Sequence, residues 1–328
     1  DIFFDKIKIK RFAISGNSVK GISGNIDGYQ NFLIENKFDV ILLYAAQQWS
    51  FDLVLPIINK IKSNIFFAPC GFSKLNNYFY KDYFKQLPQN LLKFKSNILH
   101  SKNYIDSIFL KKHRICNKII IPNASDFPIN KNNKHLPKDK KNRITRILNV
   151  SNLRFAKGQD LTILAFLFLE TKKKVDLIIY GNRTGTKFYM YYLLFLKYLT
   201  ELLHKNKKIY FVRHKTRADL INQFYISDIF LFTSRIECSP LVLYESASAG
   251  LPFVSFDVGN AKEIAKWTGG GKVKANLFSF IKFLNKIIFN EALLNKMSSN
   301  GIANFKKRYN WPKISKEYLK IFKKFNNK

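Results

Sequence analysis

Ser227 to Pro252 reads S-D-I-F-L-F-T-S-R-I-E-C-S-P-L-V-L-Y-E-S-A-S-A-G-L-P. The apolar run between Asp228 and Thr233 suits a strand buried on both faces. Ser239 and Pro240 read as N-cap and first helical residue, so a helix should begin there. It should stop near Gly250, with Pro252 barring continuation. Glu237 lies in the loop before the helix mouth. Glu245 lies about six residues into the helix, roughly 8–9 Å along its axis. Between them are the free amides of the first turn, a seat for a phosphate or a hydroxyl oxygen. The spacing alone supports two readings equally. One is a site for a ligand with hydroxyls at both ends and anionic charge between. The other is an ordinary α/β unit with two incidental glutamates.

The rest of the chain repeats the same alternation. Residues 40–44, 65–70, 97–100 and 118–122 read as strands, with helices over 51–61, 87–94 and 104–112. Strands follow at 144–151, 175–180, 208–212 and 253–256, with helices over 161–169, 188–203, 218–225 and 311–325. Strands alternating with helices predict parallel sheets covered on both faces. Gly16, Gly21, Gly24 and Gly28 punctuate an early loop, but not at the G-x-G-x-x-G spacing of dinucleotide binding. That loop either brings backbone close to a ligand or merely connects. Residues 126–142, Lys-rich with Pro128 and Pro137, read as an interdomain linker. Domains are therefore expected over 1–135 and 136–310, with a last helix over 311–328. A basic loop, Asn152-Leu-Arg-Phe-Ala-Lys-Gly, stands between a strand and a helix, where Arg154 and Lys157 suit a pyrophosphate.

The formal net charge is +34, from 56 lysines and arginines against 22 acids. Such a charge invites a nucleic-acid reading. However, 46 of those cations are lysines, spread along the whole chain without a nucleic-acid-binding signature. No nucleic acid is expected as partner; an anionic membrane surface or a phosphorylated substrate fits better. Three cysteines, Cys70, Cys116 and Cys238, stand too far apart for a disulfide or zinc pattern and suit a reducing cytoplasm. No apolar run is long enough to cross a bilayer. The aromatic helix over 188–203 suits either a bilayer interface or buried packing, and packing is preferred. The chain opens on Asp1 without a signal peptide, and is read as a fragment.

Glu237 to Glu245, with the tail Ser246-Ala-Ser-Ala-Gly-Leu-Pro, resembles the E-x7-E signature of retaining glycosyltransferases of the GT-B fold, glycosyltransferase family four. The sequence keeps both glutamates, the Leu-Val pair and the Gly-x-Pro, and has Ser239 and Pro240 where that family has Phe-Gly. Ile119-Ile-Ile-Pro-Asn-Ala-Ser-Asp resembles the segment that ends the family's first domain. The loop at Lys157 and Gly158 resembles G-R-L-x-x-x-K-G, with Asn152 at the arginine position and Arg154 two residues on. The resemblance implies two Rossmann-like domains facing a cleft, the first lacking its opening βα unit in this chain, and a final helix crossing back onto the first domain.

It also implies the chemistry: transfer of a sugar, with retention, from a nucleotide-sugar donor to a glycan or lipid-linked acceptor, without metal or other cofactor. The implied catalytic residues are Glu237, on the transferred sugar, and Cys70, near where relatives carry a histidine. The implied donor site is Arg154, Lys157, Gly158, Gly181, Arg213, Ser239, Pro240, Leu241, Val242 and Glu245, the last on the ribose. His214 is read as structural. The expected setting is cell-surface polysaccharide or lipid-linked glycan synthesis in the cytoplasm, peripheral to the inner membrane face. The alternatives are a sugar-nucleotide epimerase or hydrolase, or a non-catalytic basic binding module.

Overall fold

Short apolar runs become parallel strands in both halves of the chain. The computed structural model describes residues 2–5, 7–128, 144–213 and 216–326. The chain divides into one unit made of Asp1–Pro122 with Lys316–Lys328, and another made of Asn123–Ser315.

The first unit opens with two antiparallel hairpins, β1 (Ile2–Phe4) with β2 (Ile7–Ile9) and β3 (Ile14–Asn17) with β4 (Gly21–Gly24). The glycine-punctuated stretch is therefore a paired hairpin, not an open loop. It runs into α1 (Ile26–Glu35), whose start is fixed by Asn25 accepting from the Gly28 amide at 3.0 Å. Then β5 (Val40–Tyr44), α2 (Trp49–Asp52), β6 (Asn64–Ala68), α3 (Lys81–Leu91), β7 (Ser96–Leu99), α4 (Ile105–Lys112) and β8 (Lys118–Ile120) follow. The four strands form a parallel sheet in the order β5-β6-β7-β8. The helix expected over 51–61 is one α turn followed by a 3-10 stretch, Leu55–Lys60. Pro56 has no N–H to give an α ladder. The helix expected from 87 begins at Lys81, because Phe84, Leu87 and Leu91 recur on one buried face.

The second unit contains β9 (Thr145–Val150), α5 (Gln159–Leu167), β10 (Val175–Tyr180), α6 (Lys187–Leu203), β11 (Lys207–Val212), α7 (Arg217–Ile226) and β12 (Ile229–Phe232). It continues with α8 (Leu241–Ser248), β13 (Phe253–Phe256), α9 (Ala261–Thr268), β14 (Gly271–Lys274), α10 (Leu277–Ile287) and α11 (Glu291–Lys307). All six strands are parallel, in the order β11-β10-β9-β12-β13-β14. Alternate residues serve opposite cores: Ile147, Leu177, Ile229 and Leu231 face one, and Leu148, Tyr180, Phe230 and Phe232 the other. Two apolar faces require helices on both sides of the sheet, and that is what the chain supplies. Strand order reverses between β9 and β12, which opens a crevice at their carboxyl ends.

One boundary differs from the sequence expectation. The expected linker begins inside the second unit: Phe127 is buried against Phe224, and Asp126 pairs with Arg217. An apolar ring with a core to enter does not stay in a linker. The expected boundary at 135, and His214, lie outside the described residues. The last helix, α12 (Trp311–Asn326), ends in the first unit, where Phe322 and Phe325 pack on Phe66.

Candidate functional site

The carboxyl ends of β9, β10 and β12 and the mouth of α8 surround a cavity of about 570 Å³. Each wall is held by backbone geometry. After β9 the chain makes a 3-10 turn, Phe155–Lys157, and reverses at Gly158 with φ +66°. A Cβ on Gly158 would lie 2.0 Å from the Thr233 carbonyl, so only glycine lets the turn lie against the end of β12. The Thr233 hydroxyl donates to the Gly158 carbonyl at 2.7 Å and sits 2.6 Å from the Thr162 hydroxyl. Gly181, just past β10, is equally constrained: its Cβ would lie 2.0 Å from the Ser151 carbonyl.

Arg235 locks this loop from the other side. Its guanidinium makes a bidentate pair with the buried Asp160 at 2.9 and 2.6 Å and lies 3.9 Å over the Phe155 ring. Asp160 also accepts from the Tyr189 hydroxyl at 2.8 Å. With the loop fixed, the Lys157 ammonium reaches Glu237 Oε1 at 2.5 Å, and Ser234 Oγ donates to the same oxygen at 2.8 Å. Two segments far apart in sequence thus meet through an ion pair in the cavity wall.

The helix α8 starts one residue later than the sequence suggests. Pro240 is its N-cap with extended backbone (φ −69°, ψ 112°), and no side chain caps it. Ser239 is therefore not the cap. A proline ring at N-cap has no side-chain oxygen to offer the first amides. The Leu243 amide donates to the Pro240 carbonyl at 3.2 Å, and those of Leu241 and Val242 face the site as donors for a ligand.

Of the expected donor residues, Lys157, Gly181, Ser239, Pro240, Leu241 and Val242 line the cavity together with Glu237. Arg213 lines a neighbouring cavity of about 450 Å³ that shares Gly181 and Asn182 and also contains Arg183. Gly158 lies behind the wall and shapes it. Arg154 is exposed and outside the lining, whereas Asn152 is in it. Lys157 is the cation of that lining among the described residues. Glu245 is also outside it: buried in α8, it accepts from Arg217 Nη1 at 2.9 Å. Burial pushes its carboxyl above the usual carboxylate range, and Arg217 offsets only part of that rise.

Cys70 belongs to the first unit, just after β6, with φ +55°. Its thiol donates to the Ala68 carbonyl at 3.3 Å, stands 3.7 Å from His100 Nε2, and is pushed up to about 11 by burial. A thiol held there stays protonated at neutral pH, so it offers a contact and not a nucleophile. Sequence reading missed Arg217, Arg235, Asp160 and Ser234. Arg235 and Ser234 lie in the decisive stretch itself, two and three residues before Glu237. Arg217 left no local sign, because its partner lies in another helix.

The family of glycosyl transferases group 1 matches residues 129–303, more than half of the chain. The chain belongs to that family. Comparison with curated proteins found no match. Among solved structures, the sucrose-phosphate synthase of Thermosynechococcus elongatus superposes with a TM-score of 0.74 at 14% identity, covering 92% of this chain and 77% of that one. Anabaena Alr3699/HepE, in complex with UDP and glucose, gives 0.71 at 16% identity, covering 91% and 81%. TarM gives 0.69 at 17% identity, covering 92% and 59%. At such identities the likeness shows the fold, two Rossmann-like units of GT-B type, as the sequence predicts.

Proposed function

We propose that this glycosyltransferase is a retaining, metal-independent enzyme that moves a hexosyl group from a nucleotide-sugar to an acceptor hydroxyl. The observation that carries this is the grouping of Lys157, Glu237 and the uncapped mouth of α8 around one cavity at the strand-order reversal. The bond from the anomeric carbon to the diphosphate breaks, and a bond to the acceptor oxygen forms on the same face of the sugar. The acceptor proton passes to the departing phosphate, so no protein base is required. Negative charge grows on that phosphate, and Lys157 with the α8 amides offsets it in a preorganised site. Glu237 takes the sugar hydroxyls and, through its ion pair, positions the lysine. Glu245, oriented by Arg217, takes the ribose hydroxyls, and Arg154 is left a peripheral role at most. The neighbouring cavity at Arg183 and Arg213 accommodates the base.

The presence of UDP and glucose in the Anabaena relative makes a UDP-sugar the first donor to try. The acceptor belongs to cell-surface polysaccharide or lipid-linked glycan synthesis. A thermal-shift screen of UDP-, GDP- and ADP-sugars, followed by proton NMR of the product's anomeric configuration, tests the reading. Absence of any nucleotide-sugar shift sinks it, and an inverted product removes the retaining mechanism.

A further inference from the structure

The expectation that residues 188–203 form a buried packing helix is half met, and the other half carries an inference. Tyr189, Met190, Leu193, Leu196 and Thr200 face the core, a spacing that buries one side of α6. The opposite side is equally apolar. Phe188, Tyr191, Phe195, Tyr198 and Leu202 recur along it and are exposed by 58 to 81%. Between Phe188 and Leu203 the charged residues are Lys197 and Glu201. They pair at 2.6 Å and are turned to the edge of β11, where Lys197 donates to the Ile209 carbonyl and Glu201 accepts from its amide. A charge-free strip of large rings along a helix about 25 Å long far exceeds the scattered apolar exposure of an ordinary surface.

We propose that this face of α6 docks onto an anionic lipid bilayer, lying in the headgroup region. Charge selects that occupant. Exposed lysines stand at both ends of the strip, Lys187 before it and Lys205 and Lys208 after it. Asn206 donates to the carbonyls of Thr171 and Lys173, which ties the exposed Lys172–Lys174 turn to the same end. Rings and leucines flanked by lysines match an interface whose hydrocarbon lies beneath a negative surface. A second copy would oppose one lysine rim with another, on chains that each carry +34. No helix among the described residues is long and apolar enough to cross a membrane, so α6 lies on the bilayer and does not span it.

Docking needs only the helix and its lysines. Its link to a lipid-borne acceptor rests on the transfer reading: the inner face of α6 supplies Tyr189, which holds Asp160 and so the site loop. The experiment is therefore run without donor. Flotation of the full chain is measured with phosphatidylcholine vesicles, with and without phosphatidylglycerol, for wild type and for Tyr191→Ser/Phe195→Ser/Tyr198→Ser. Wild type should float with the anionic vesicles only, and the triple variant should partition at least about tenfold more weakly. Circular dichroism checks that the variant keeps its fold. Independently, the single variant Phe195→Trp should gain an indole fluorescence, over wild type, that brominated lipid quenches. Failure of wild type to float, equal flotation of the folded triple variant, or an added indole signal that brominated lipid leaves unquenched overturns the proposal. So does a wild-type dimer in sedimentation that the triple variant abolishes, which would give the face to a second copy.

Discussion

Arg217 holds two carboxylates at once, Glu245 through Nη1 and Asp126 through Nη2, each at 2.9 Å. Burial raises the Glu245 carboxyl and the guanidinium opposes that rise, which favours the charged form that the proposed reaction needs for the ribose hydroxyls. In Arg217→Ala the carboxyl should climb further and be partly protonated in mildly acidic buffer. Calorimetry with the donor found in the screen should then show several-fold weaker binding at pH 6 than at pH 8. Wild type should show a smaller difference. Equal pH dependence in the two proteins removes Arg217 from the donor site.

Lys157 has two tasks in the proposed reaction, pairing with Glu237 and neutralising the departing diphosphate. Lys157→Ala should lower kcat/KM by about 10²–10³, the usual cost of one preorganised charge partner. Arg154→Ala, at an exposed position outside the cavity, should cost less than about tenfold. The reverse ranking in steady-state transfer assays would return the phosphate to Arg154.

Arg217 and Arg235 show where the sequence could be read and where it could not. Local signals sufficed for β5, β10 and β13, whose apolar runs match the observed strands, and for the glutamate pair itself. Proline and glycine set the end of α8, with Gly250 in the left-handed region and Pro252 two residues on. The pairing of Glu245 with Arg217 depends on how α7 and α8 pack on the sheet, and nothing within either helix records it. Arg235 sat in plain view but carried no recognisable spacing, because its partner Asp160 belongs to the first turn of α5. The aromatic face of α6 was ambiguous because both of its sides are apolar, and periodicity then cannot say which side is covered.

The Arg235–Asp160 pair leads to a stability prediction. Asp160 is buried, so Arg235→Ala leaves a carboxylate with the Tyr189 hydroxyl and no cation. Removing one partner of such a pair costs about 3 kcal/mol. Chemical denaturation should show that loss, and Arg235→Ala/Asp160→Ala should recover part of it, because the stranded charge is gone. A double variant as unstable as the sum of the singles would mean the two residues act separately.

Gly158→Ala should be worse than a surface substitution. The new Cβ would meet the Thr233 carbonyl at 2.0 Å, at a φ of +66°. Backbone on both sides cannot yield cheaply, so the turn must move away from β12 and carry Lys157 from Glu237. A loss of about 2 kcal/mol or more in denaturant unfolding, with weakened donor binding, is expected. A variant with wild-type stability and affinity would show that the turn is free to shift.

In the first unit, Asp106 offers a test in which the sign of the pH effect matters. Its carboxylate is buried, accepts from the amides of Gly71 at 3.1 Å and Ser107 at 2.8 Å, and is pushed up to about 6 by burial. A carboxyl raised in the folded state binds its proton more tightly there than in the unfolded chain. Its contribution to stability is therefore greatest below the unfolded value near 4, and is lost as pH rises towards 6. The shift of about two pH units corresponds to roughly 3 kcal/mol. Asp106→Asn has no proton to lose and still presents a carbonyl oxygen to one of the two amides. Stability of wild type relative to this variant should thus fall between pH 4 and pH 6 and stay level above it. A difference that instead rises with pH over that interval would mean that the amide hydrogen bonds outweigh burial, and that Asp106 is held as an anion beneath the Cys70–Gly71 turn.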